Sequence, residues 1–176
     1  MKLNFIFFII ILFTSFNLAS QNIVTINIQS LIDNNNQYKE ILEKMELSQK
    51  KYLNELEIKE NELEKFLSDI QNSELILNES EINLQIDQYN KELNKFSSLV
   101  DEFNYHYQNQ IINIRDIILK EIIVLLEKYA IQHNIDLVFD ATSYLLASNT
   151  LDITNMIKNE LNNINLELEY KNFEKD

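Results

Sequence analysis

Few residues in this chain could do acid–base, metal or nucleophilic chemistry. His106 lies four residues after Glu102, a helical spacing that puts an imidazole and a carboxylate on one face. Such a pair could belong to a metal site inside a helical bundle. A di-iron bundle needs Glu-x-x-His twice plus further carboxylates, and the sequence lacks that motif. The other histidine, His133, stands where a helical pattern ends and is expected to help cap it, since a helix C-terminus favours a cation. Asp136 and Asp140 share one face of an expected strand, as an acid–base pair might, but no partner group or cleft accompanies them. Arg115 is the only arginine, so two-pronged capture of a carboxylate or phosphate is poorly supplied. With no Cys there are no disulfides, thiolate metal sites or thiol nucleophiles. With no Gly there is no phosphate-cradling loop, dinucleotide fingerprint or nucleophile elbow. The expectation is no enzyme, no cofactor and no metal.

The elements that remain are long. The chain has 176 residues, enough for one domain, and contains neither Gly nor Pro. Helix interiors suffer from both, so the composition suits extended helices, with Asn, Asp and Ser left to make the turns. Lys2, the apolar run Phe5 to Phe13 and the small residues before Ser20 read as a secretory signal peptide over residues 1–20, cleaved near Ala19 or Ser20. An uncleaved anchor is the alternative. Removing Lys2 takes the basic residues from 15 to 14 against 28 acidic ones, a net charge of −14. That balance argues against nucleic acid, whose phosphates need basic partners, and against anionic lipid.

Residues 21–176 form the single expected domain. A short β-strand is expected over 23–28. Tyr38, Leu42, Met45, Gln49, Tyr52, Leu56, Lys59, Leu63, Phe66 and Ile70 then follow four-three spacing, a heptad seam with polar lapses at Gln49 and Lys59. A second seam runs through Ile82, Ile86, Tyr89, Leu93, Phe96, Val100, Phe103 and Tyr107 and continues, one residue out of phase, to Tyr129. The two predict an antiparallel helical arm over 37–132 with its tip near 72–80, where Asn78 or Ser80 could cap the second helix. Leu75, Ile76 and Leu77 at that tip are hard to bury in a two-helix arm. They are candidates for contact with a partner, or for a turn packing on itself. Tyr89, Phe96, Phe103 and Tyr107 are expected in the seam rather than facing a partner.

Ile135, Leu137 and Phe139 alternate with Asp136, Val138 and Asp140, and Tyr144 to Ala147 reads as a returning strand, so a β-hairpin is expected over 135–147. A C-terminal helix over 152–168, opened by Asp152, has Ile153, Met156, Ile157, Leu161, Ile164 and Leu168 on one face. Residues from Glu169 onward are expected to fray. The fold class is mainly α with a small β part, a long helical hairpin projecting from a β-body. Three short strands per chain offer little core, so the β-body should be oligomeric, with Ile26, Ile28, Leu137, Phe139 and Leu146 as candidate assembly residues.

The order strand, arm, hairpin, helix behind a signal peptide resembles the Skp (OmpH-like) periplasmic chaperones. Asp136-Leu137-Val138-Phe139-Asp140-Ala141, then Tyr144, then Leu151-Asp152-Ile153-Thr154 are similar to that family's signature, as is the start Ile23-Val24-Thr25-Ile26-Asn27. The resemblance implies a homotrimer whose arms enclose a cavity holding unfolded outer-membrane β-barrel proteins in the periplasm without ATP. This chain departs from the family in charge: residues 66–90 contain no Lys or Arg, so no lipopolysaccharide-binding residues carry over and direct membrane contact is disfavoured. The rival reading is a secreted envelope coiled-coil adaptor or structural protein without chaperone activity.

Overall fold

The structure is a computed structural model that describes residues 21–73 and 76–174. The expected signal segment and Leu75 lie outside the described residues. In chain order the elements are β1 (Ile23–Ile26), α1 (Ile28–Asp33), α2 (Asn36–Ser73), α3 (Glu79–His133), β2 (Leu137–Asp140) and α4 (Thr154–Asn162), with single 3-10 turns at Ala141–Ser143 and Asn149–Leu151. The 38 residues of α2 and 55 of α3 correspond to about 57 and 82 Å of helix.

The two long helices run antiparallel. Phe66 meets Tyr89, Tyr52 stacks on Phe103, and Ser48 hydrogen-bonds Tyr107. Each step back along α2 is matched by an equal step forward along α3, which only an antiparallel pair allows. Asn78 starts α3 with a capping box: its side chain accepts from the Glu81 N–H, and its own N–H donates to the Glu81 carboxylate, both at 3.1 Å. At the other end Asn134 takes the left-handed conformation, φ 51°, that glycine usually fills. The C-cap is therefore Asn134 and not His133, whose ring instead packs on Tyr129.

The base is where the core lies. Ile26 of β1, Leu31 of α1, Ile114, Ile118 and Ile122 of α3, and Ile157 and Leu161 of α4 are essentially inaccessible to water. β1 pairs in parallel with β2, Ile23 opposite Leu137 through Ile26 opposite Asp140. On its other side β1 bridges Asp152, and the Thr25 carbonyl accepts from the Ile153 N–H at 2.9 Å.

Four expectations change here. The first strand stops at Ile26, because the Asn27 side chain accepts from the Ser30 N–H at 2.8 Å and caps α1. Ile28 is therefore helical. The hairpin over 135–147 is absent: β2 pairs with β1, and the Asp140 carboxylate accepts from the N–H and hydroxyl of Thr142, winding 141–143 into a 3-10 turn. Tyr144 to Ala147 consequently form no strand. The last helix spans Thr154–Asn162, not 152–168, and Ile164, Leu166, Leu168, Tyr170 and Phe173 beyond it pack against the core rather than fraying.

Candidate functional site

At the base, the five candidate assembly residues separate. Ile26 is 1% exposed and packs inside the protomer, and Ile28 is half-buried against the same core. Leu137 and Phe139 are 45% and 38% exposed on one face of β2, and Leu146 stands almost fully in solvent beside Leu145. Among the described residues nothing pairs with the outer edge of β2. An unpaired edge with apolar neighbours is open to further pairing.

Asp136 and Asp140 work as clamps on β1. Asp136 accepts from the Asn22 N–H at 2.9 Å, and its own N–H donates to the Asn22 carbonyl at 2.8 Å. Asp140 accepts from the Ile28 N–H at 3.0 Å, tying β2 to the start of α1. Burial alone would raise the Asp140 pKa, but hydrogen bonds from the Thr142 hydroxyl and the Ile28, Thr142 and Ala141 N–H groups outweigh it and hold the carboxyl below its ordinary value. Its stabilisation is complete above the unfolded pKa of about 4 and is lost as the pH falls through the lower folded value. Asp140→Asn should therefore cost about 1–3 kcal/mol at neutral pH. It should also flatten the acid limb of stability below about pH 4, read as urea midpoints across pH.

Along the arm, Tyr107 and Phe103 are buried and Tyr89 and Phe96 half-buried in the α2–α3 seam. Gln49 is half-buried, whereas Lys59 is exposed at the rim of a cleft of about 240 Å³ that is also lined by Leu63, Phe66, Phe96 and Leu99. The seam lapses there because a lysine keeps its ammonium in water. Lys59→Leu should close the cleft and raise stability by about 1 kcal/mol, measured as a higher urea midpoint at fixed protein concentration. At the tip Ile76 is 84% exposed and Leu77 half-buried, their N–H groups both bonded to the Ser73 carbonyl.

The candidate chemistry resolves into structure. The Arg115 guanidinium donates to Gln29, Asp33 and Tyr38 and lies over the Tyr38 ring, joining α3 to α1 and α2. His106 donates from Nε2 to the Lys171 carbonyl at 2.8 Å. Among the described residues no group of three or more His, Asp or Glu could hold a metal ion, and no helix is long and apolar enough to cross a membrane.

The sequence pattern did not disclose the segment after α4. Ile164, Leu166, Leu168 and Tyr170 are turned inward, while Asn163, Asn165, Glu167 and Glu169 face water. That period of two is the signature of extended chain. Glu167 adopts φ 48°, re-aiming the segment so that it climbs the groove between α2 and α3. The Gln37 amide grips its main chain, donating to the Ile164 carbonyl at 2.6 Å and accepting from the Leu166 N–H at 2.9 Å. Further up, Tyr170 donates to the Lys44 carbonyl, Asn172 meets Ser48, and Phe173 lies against Tyr52, Phe103 and His106.

Two long antiparallel helices rooted in a small mixed base define an arm-bearing class of protein. The chain belongs to the OmpH-like family: residues 22–161 match the family described as outer membrane protein (OmpH-like). Among solved structures it is similar to a candidate outer membrane chaperone (OmpH-like) from Caulobacter crescentus, with a TM-score of 0.71 at 11% identity, covering 90% of this chain and 94% of that one. No curated protein matches the sequence. The climbing segment, from Asn163 on, lies beyond the family match.

Proposed function

We propose that this chain is an ATP-independent periplasmic holdase that keeps unfolded outer-membrane β-barrel proteins soluble between its helical arms, acting as a homotrimer. The observation that carries the reading is the division of labour in an OmpH-like chain: a tightly packed base, and long helices that leave single apolar side chains in solvent. Leu47, Leu53 and Ile58 of α2 and Leu84 and Leu93 of α3 are all at least 39% exposed. Spread apolar contacts, each weak alone, suit a client that must be held without a fixed fold. The unpaired edge of β2 supports assembly of the bases. The acidic tip, free of Lys and Arg over 66–90, supports capture by apolar contact rather than charge, and its negative charge keeps the arms apart.

The test is light-scattering mass after gel filtration of the mature chain, alone and mixed with an outer-membrane barrel protein diluted from urea. Three chains alone, and three chains plus one soluble client when mixed, is the expected result. Retention should change little with salt. A stable dimer with the client left to precipitate would overturn the proposal in favour of an envelope adaptor.

A further inference from the structure

The segment from Asn163 to Phe173 is bound as a peptide ligand would be. The groove recognises it largely through its main chain. Gln37 takes the Ile164 carbonyl and Leu166 N–H, His106 takes the Lys171 carbonyl, and Gln110 and Tyr107 accept from the Lys171 and Phe173 N–H groups at 3.4 and 3.5 Å. Main-chain bonds carry no sequence information. Selection falls to the inward side chains, of which Leu166 is buried at 8% exposure and Phe173 inserts into an aromatic cluster with centroid distances of 4.9 to 5.6 Å. A groove of this kind accepts many extended polypeptides, provided apolar or aromatic residues fall at alternate positions.

We infer that the groove between α2 and α3, from Gln37 to Tyr52, is a binding site for an extended segment of unfolded polypeptide carrying aromatic and aliphatic residues at alternate positions, and that the chain's own tail occupies it in cis. The tail is the template for the occupant: apolar residues inward at every second position, polar residues outward, and an aromatic at the far end. Because it is tethered through α4, it competes at a high effective concentration. A client segment gains the groove only by displacing it, so the tail raises the threshold for capture and closes the groove when no client is present. The identity of the natural occupant rests on the holdase reading; the groove and its cis ligand do not.

The experiment uses the full mature chain, a Tyr170→Ala/Phe173→Ala variant, and a fluorescein-labelled peptide of residues 163–174 read by polarization. The variant should bind the peptide about tenfold or more tightly than the wild type does, because the competing tail has been weakened. Equal affinity for the two proteins would overturn the inference. A second variant guards against misfolding. Ser48→Cys with Asn172→Cys places the only two thiols of the chain where the parent side chains meet at 2.7 Å. Bridging them with a reductant-cleavable bismaleimide should abolish displacement of the tail and lower retention of a urea-diluted barrel protein, and reduction should restore it. Equal retention in the bridged and cleaved forms would overturn displacement by client. If neither form retains client while the alanine variant binds peptide, the holdase reading fails and the groove stands.

Discussion

Ile118→Ala is expected to lower the unfolding free energy by about 2–5 kcal/mol, a large share of the 5–15 kcal/mol that holds a typical domain together. Ile118 is 0% exposed where α3 passes through the base. Truncation removes three carbons from a site closed by α1 on one side and α4 on the other, so the surroundings have little room to collapse. Ile117, the preceding residue, lies about 100° round the same helix and is 40% exposed. Ile117→Ala should cost about 1 kcal/mol or less, because part of its side chain already stands in water and its removal leaves no closed cavity. The pair controls for helix propensity, which is identical in both. Urea unfolding at one protein concentration provides the comparison, since any assembly makes stability depend on concentration. Equal losses for the two variants would mean that the base is not a tightly packed unit.

The long helices were legible because nothing in the sequence interrupts them. The spacing from Tyr38 to Ile70 and from Ile82 to Tyr107 admits only a helix, and Asn78 with Glu81 marks where the second begins. The strand at Leu137 was equally clear from its alternation, but alternation names an element and not its partner. Tyr144 to Ala147 lay close in sequence and looked suitable. The pairing went instead to β1, 114 residues away, where Asp136 and Asn22 exchange main-chain and side-chain bonds. A loop-closure cost of that length is hidden from local pattern. The climbing tail was ambiguous for a different reason. Ile164 and Leu168 satisfy helical spacing, while Ile164, Leu166, Leu168 and Tyr170 satisfy alternation. The choice is made by tertiary contacts: Gln37 holds the main chain at Leu166, and the backbone then turns at Glu167. The proposed assembly surface was only partly readable. Apolar type alone could not separate Ile26, which fills its own core, from Leu137 and Phe139, which face out.

That separation yields the largest functional effect. In Leu137→Asp/Phe139→Asp the light-scattering mass of the proposed trimer should fall from three chains to one, and the proposed retention of a urea-diluted barrel protein should disappear. Helical circular dichroism should stay at the wild-type level. The two side chains lie on the outer face of β2, so the protomer's core does not need them. If neighbouring bases bury the exposed remainder of each, it contributes about 1 kcal/mol per side chain. A carboxylate in their place adds a desolvation cost of several kcal/mol. Ile26→Ala should do the reverse, weakening the fold while leaving the outer face intact. The chain is already acidic, so added aspartates could separate protomers by repulsion alone. Leu137→Asn/Phe139→Asn answers that objection, because it removes the apolar contact without adding charge. At about 1 M salt, where the screening length is about 3 Å, repulsion between exposed charges is largely gone. If the contact is apolar, both double variants stay monomeric there. If salt restores three chains to the aspartate variant and the asparagine variant never lost them, the β2 face is not the assembly surface, and the bases must meet elsewhere.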